Sequence, residues 1–330
     1  MIEHTVLGRP GGDNALWVRV NTGQQIHRLL FDCGSGCIGP LGSAELQAID
    51  HLFFSHFHMD HVAGFDGFFR INFSRDTKPV HVWGPAQTID LMQHRFQSFW
   101  WNLHEEQTGS WIVHEILPDQ VKLARMEVCE AFAIRHPLES TAVDPLISNP
   151  DYRVSVRLLD HRGPSAAYRV DEEARCNVNP ERLTRSGLRP GPWIQALKSP
   201  EAGGRVQVDG IDCDLDQLRA DLLDHSPGAS IAYLTDFRLD EPWTERLAEW
   251  LAGCDVVVCE AQYAHSDALL AQQNFHSTSL QVAELARRAG VGKLELFHLS
   301  RRYPDFIWRE MGRDARSVFP NTKFPAAWNL

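Results

Sequence analysis

Four side chains able to bind a metal fall within a six-residue span in Ser55-His56-Phe57-His58-Met59-Asp60-His61. Imidazole nitrogens and carboxylate oxygens suit zinc and similar divalent ions. His56 and His58 are two residues apart, so an extended chain can point both the same way. Asp60 and His61 follow where the chain must turn. Divided between two centres, the set gives His56 and His58 to one ion and Asp60 and His61 to the other. Two such ions roughly 3.5–4 Å apart can activate water and stabilise a phosphoryl or acyl transition state. The plain alternative is an exposed His-rich turn, and the crowding of ligand types weighs against it.

Three further residues share one pattern, a ligand type directly after a β-like run. His161 follows Val154 to Leu159, Asp236 follows Ile231 to Thr235, and His298 follows Leu294 to Phe297. Strand ends bring side chains to a common sheet edge. His161 would complete the first ion's ligands, His298 the second's, and Asp236 could bridge both. Each taken alone reads as an ordinary satisfied polar residue; beside the cluster, the ligand reading is favoured.

The elements that must position these residues follow from the hydrophobic pattern. Strands are expected at Ala15–Val20, Arg28–Asp32, His51–Phe54 and Pro79–Trp83, with a loop from Ser55 to Gly64 and a helix from Gln87 to Trp100. Val121–Ile134 alternates like a strand pair, and Asp144–Asp151 reads as a loop. Strands return at Tyr152–Leu159, Ala167–Val170, Ser230–Thr235, Asp255–Cys259 and Lys293–Phe297. Thr278-Ser279-Leu280-Gln281 reads as a capping box opening a helix that Gly290 ends. From Asp171 to about Arg205 the chain is polar and rich in Pro and Gly, with no clear core pattern. Strands then helices, repeated in two halves, imply two packed sheets with helices outside, an α/β class.

Composition narrows the function. The 330 residues carry a formal net charge of −11, which excludes a general polyanion binder but leaves room for a local basic patch. Seven scattered cysteines do not form a disulfide framework. No stretch is long enough to span a membrane, and the N-terminus lacks the pattern of a signal peptide, so a cytoplasmic protein is expected.

The sequence resembles the metallo-β-lactamase superfamily and, within it, the ribonuclease Z family, the tRNA 3′ processing endonucleases. The resemblance is carried by His56-Phe57-His58-Met59-Asp60-His61 with Gly64, by Trp83-Gly84-Pro85, and by His161 to Val170. It continues through Leu188-Arg189-Pro190-Gly191-Pro192, Thr235-Asp236, Cys259-Glu260-Ala261, Phe275-His276-Ser277-Thr278 and Phe297 to Tyr303. Ala167-Tyr168-Arg169-Val170 after His161 favours that histidine over His136 as a ligand.

The resemblance implies a single αββα-sandwich domain over residues 1–330, two divalent ions of zinc, a homodimer, and hydrolysis of precursor tRNA. It implies catalytic roles for Asp60, Glu260 and His276, and a protruding tRNA-binding arm at about residues 171–205. Within that arm Arg182, Arg185, Arg189 and Lys198 lie in a segment, 182–198, without Asp or Glu. His276 would give a proton to the leaving ribose oxygen or stabilise the phosphorane, while Glu260 orients it and tunes its pKa. Two other readings stand beside this one: a phosphodiesterase of the same fold acting on another RNA or a small phosphodiester, and a noncatalytic RNA-binding relative.

Overall fold

A computed structural model describes residues 1–199 and 201–330. It divides into two compact units, Met1–Glu172 with Ala229–Leu330, and Glu173–Gly228.

The first unit holds two sheets whose spatial order follows the chain. The first has eight strands, Ile2–Gly8, Asn14–Asn21, Ile26–Phe31, His51–Phe53, Val80–Gly84, Ser110–Ile116, Val121–Glu127 and His136–Thr141. The second has seven, Ile147–Ser148, Tyr152–Asp160, Pro164–Glu172, Ser230–Leu234, Val256–Glu260, Lys293–Phe297 and Thr322–Lys323. Each begins antiparallel and turns parallel where helices become the connections, and the first returns to antiparallel pairing over its last three strands.

Side-chain alternation decides what lies between the sheets. Leu29, Phe31, Phe53 and Trp83 join Tyr168, Val170, Tyr233 and Phe297 in one core. Their neighbours Leu30, Leu52, Phe54 and Val82 face the other way, against Phe65, Phe68, Phe69 and Phe96 of the covering helices. The parallel strands are buried on both faces, which is why Val256-Val257-Val258-Cys259 reads as an unbroken apolar run. The αββα architecture expected from the pattern is therefore the one observed in this unit.

Several local expectations are corrected. The expected strand pair at Val121–Ile134 is one strand, Val121–Glu127, then a 3₁₀ turn at Val128–Glu130. Ala131 and Phe132 adopt positive φ, at 50° and 56°, and the Phe132 ring is buried among the helix-side aromatics. That burial ends the extended run, and the next strand starts at His136. The helix expected at Gln87–Trp100 is Thr88–Phe96, and Trp101 Nε1 caps it by donating to Phe96 O at 2.8 Å. The Ser55–Gly64 loop contains a helical turn, Met59–Val62. Two residues of the Asp144–Asp151 loop, Ile147–Ser148, pair with Arg153 and Val154.

The second unit corrects the reading of a coreless segment. Trp193 and Leu197 pack with Val208, Leu215, Leu218, Leu222 and Leu223. Most of those partners lie beyond Arg205, outside the segment expected to form an arm. Asn179 caps the helix Pro180–Ser186 by accepting from Glu181 N and Arg182 N, and Asp214 caps Leu215–Leu222 in the same way.

Candidate metal centre

The candidate site is built from strand ends. Ser55 follows the strand His51–Phe53, and its backbone N donates to Asp32 Oδ1 at 2.7 Å. His61 sits on the short helix behind it. Gly64 permits this turn: a Cβ there would lie 2.2 Å from Gly34 O. Asp236 and His298 each follow a parallel strand, and both hold positive φ, 50° and 51°. Non-glycine residues in that region are strained, and such strain gathers at functional sites.

Three imidazoles are oriented from behind. His61 Nδ1 donates to Asp32 Oδ2 at 2.7 Å. His161 Nδ1 donates to Phe275 O at 2.8 Å. Ser55 Oγ donates to Asp32 Oδ2 at 2.8 Å, which leaves it to accept from His56 Nδ1 at 3.1 Å. Each Nδ1 thus carries a proton, and each Nε2 turns a lone pair forward.

All three lone pairs face one carboxylate. Asp236 Oδ2 lies 3.6 Å from His56 Nε2 and 3.5 Å from His161 Nε2. Asp236 Oδ1 lies 3.4 Å from His61 Nε2 and 3.3 Å from His298 Nδ1. His56 Nε2, His61 Nε2 and His298 Nδ1 are buried without a hydrogen-bond partner. Lone pairs aimed at a buried carboxylate repel unless protons or a metal cation lie between them. The residues therefore fit divalent cations.

Three groups have ligand atoms within 4.8 Å of one another: His56, His58, His161 and Asp236; Asp60, His61 and His298; and Asp236, Glu260, His276 and His298. All seven expected ligands lie in the first two. His136 lies elsewhere, paired with Glu130 at 2.7 Å.

Electrostatics reflect the crowding. Burial, and then the neighbouring His61, push His56 well below the ordinary histidine range. Burial likewise lowers His58. At His61 burial acts downward, but the Asp236 and Asp32 carboxylates outweigh it and raise the imidazole. His298 is raised to about 10 because Asp236, Asp60 and Glu260 outweigh its burial. Burial opposes ionisation of Asp236, and the surrounding imidazoles hold it well below the carboxylate range.

Beside the cluster, Glu260 is 0% exposed at the end of its strand. Its Oε1 accepts from Phe237 N at 3.0 Å and Ser277 N at 3.2 Å, and its Oε2 accepts from His276 Nδ1 at 2.8 Å. Glu260 thereby fixes both the tautomer and the direction of His276.

Sequence reasoning missed Asp32. It is fully buried and receives Ser55, His61 and Tyr233. The signal was present, since Asp32 directly follows the strand Ile26–Phe31 as Asp236 follows its own.

The four basic residues expected on the arm lie in the second unit. Arg182 pairs with Asp224 at 3.1 Å and Arg185 with Glu181 at 3.3 Å. Arg189 and Lys198 form no ion pair among the described residues. The unit as a whole holds seven Lys and Arg against nine Asp and Glu, so any attraction for phosphate is confined to the 182–198 segment.

This fold and these clustered ligands define a metallo-β-lactamase-fold protein, a class whose fold implies divalent-metal binding. The β-lactamase superfamily domain matches residues 27–177. The short form of human tRNase Z superposes with a TM-score of 0.56 at 18% identity, covering 92% of this chain and 94% of that one. A metallo-β-lactamase-fold protein of Bacillus subtilis gives 0.56 at 16%, covering 98% and 95%. A ribonuclease Z of Deinococcus radiodurans is 46% identical over 329 residues, 99% of each chain. One of Prochlorococcus marinus is 32% identical over 340 aligned positions, 97% of this chain and 94% of its own. The chain belongs to the ribonuclease Z family.

Proposed function

We propose that this chain is a zinc-dependent endoribonuclease that removes the 3′ trailer of precursor tRNA. His56, His58 and His161 would hold one ion and Asp60, His61 and His298 the second, with Asp236 shared between the two groups. The observation that carries this reading is the division of the Asp236 oxygens, Oδ2 toward His56 and His161 and Oδ1 toward His61 and His298. When bound, the ions supply the charge that activates water and offsets the negative charge growing on phosphate.

The chain's own groups do the remaining work. Asp60, whose side chain stays 45% exposed, orients the attacking water. Burial lowers the His276 imidazole, but the Glu260 carboxylate on its Nδ1 outweighs burial and raises it, so the ring carries a second proton on the opposite nitrogen and delivers that proton to the leaving ribose oxygen. The ribonuclease Z names of the relatives support RNA as substrate. The unit Glu173–Gly228 serves as the tRNA-binding arm through Arg189 and Lys198, which no carboxylate neutralises among the described residues. The protein acts as a cytoplasmic homodimer. No helix among the described residues is long and apolar enough to cross a membrane.

Incubation of the metal-loaded protein with precursor tRNAs that do and do not encode the terminal CCA tests the reading. A single cut at the 3′ end of the tRNA body is expected. Intact precursor, beside rapid turnover of a simple phosphodiester, would instead favour a small-molecule phosphodiesterase.

A further inference from the structure

A cavity of about 460 Å³ has His276 in its wall and is otherwise lined by the helices Glu241–Trp250, Ala268–Gln273 and Ser279–Ala289 and the turns before them. Its size falls within the roughly 300–1,000 Å³ of small-ligand pockets. Of the residues in the three ligand groups only His276 reaches its wall, and none of the seven expected ligands does.

The lining carries three carboxylates, Asp240, Glu241 and Glu284, against one guanidinium, Arg288. Arg288 is already engaged by Glu241 and by Glu284, the latter at 2.9 Å. The cavity is thus negative, and it repels the phosphates that the metal centre attracts. On the endoribonuclease reading, the part of the RNA that suits it is uncharged. Leu269, 78% exposed at the wall, offers an apolar surface for a flat ring. Asp240 Oδ1 accepts from Trp243 N at 3.1 Å, while Oδ2 has no hydrogen-bond partner among the described residues. That oxygen can only accept, so it favours a group that donates.

We infer that this cavity is a nucleobase subsite, selective for a base with an exocyclic amino group, for the nucleotide whose ribose oxygen leaves. The assignment rests on the endoribonuclease reading, in which His276 protonates that oxygen. The sugar then lies against His276, and its base is one glycosidic bond from the cavity. Asp240 Oδ2 accepts from the amino group, and Leu269 packs against the ring. Uracil carries a carbonyl oxygen in place of that amino group, and a carboxylate oxygen repels it.

The test uses precursor RNAs identical except at that nucleotide, which is adenosine, purine riboside or uridine. Purine riboside lacks only the amino group of adenosine. Loss of one hydrogen bond to a charged acceptor predicts about a tenfold fall in kcat/KM for purine riboside and for uridine. In Asp240→Asn the difference between adenosine and purine riboside should shrink to about twofold or less, since a neutral amide replaces the charged acceptor. Asn caps a helix as well as Asp, so this variant keeps the helix start. Equal kcat/KM for adenosine and purine riboside in the unaltered protein would overturn the subsite while leaving the endoribonuclease reading intact. Cleavage of none of the RNAs would overturn that reading, and the subsite with it.

Discussion

Asp32 Oδ2 accepts a hydrogen bond from His61 Nδ1 at 2.7 Å, with both side chains buried. The same carboxylate holds Ser55, which in turn fixes His56. One acid therefore orients imidazoles on both sides of Asp236. Such supporting acids set the tautomer of a ligand and raise its basicity.

Asp32→Asn removes the charge and offers an amide that can present a donor to His61 Nδ1. Metal affinity should fall by roughly 10- to 100-fold, measured by competition with a chromogenic chelator. An affinity equal to that of the unaltered protein would show that Asp32 serves packing alone.

The contact between Glu260 and His276 predicts a different pattern. Neither completes the two ligand groups that Asp236 joins, so metal content should persist in His276→Ala. Turnover should fall by about 10²- to 10⁴-fold with little change in KM, the signature of a lost proton donor. Glu260→Gln should fall less, since the amide oxygen can still accept from Nδ1. A raised KM with unchanged kcat would mean that His276 only binds substrate.

A second histidine group predicts the pH dependence of stability. His51, His81 and His114 lie on adjacent strands, with His81 Nδ1 3.0 Å from His114 Nε2 and Trp83 Nε1 donating to His51 Nδ1 at 3.1 Å. Burial lowers all three, His81 to about 4. The folded protein thus keeps them neutral, while the unfolded chain takes up protons near pH 6.5. Their stabilising contribution is complete above about pH 6.5 and is lost as the pH falls toward 4, by up to about 1.4 kcal/mol per pH unit for each. Thermal melts of the metal-free protein between pH 7.5 and 5 should show the decline. His81→Asn keeps a polar group near Nδ1 but cannot titrate, and should flatten it. An unchanged slope in that variant would remove His81 from the account.

Much of this was legible in the sequence because strand ends carry the chemistry. Apolar runs stop at Asp160, Thr235, Glu260 and Phe297, and the residues at or just after these points converge on one sheet edge. Asp32 escaped notice because Asp32-Cys33-Gly34-Ser35-Gly36 also reads as an ordinary turn, and its partners Ser55, His61 and Tyr233 are distant in sequence. The second unit was illegible for a related reason. Trp193 and Leu197 share one face of a helix too short to show a sustained apolar pattern, and their packing partners arrive only with Val208 to Leu223. The turn at Ala131 and Phe132 depends on burial of one ring, which alternation alone does not report.

The bridging role proposed for Asp236 is the centre of the account, and metal content measures it most directly. Elemental analysis of the purified, zinc-reconstituted protein should give two ions per chain, and Asp236→Ala should retain fewer than one. Two ions retained by Asp236→Ala, or no more than one in the unaltered protein, would contradict a shared dinuclear centre.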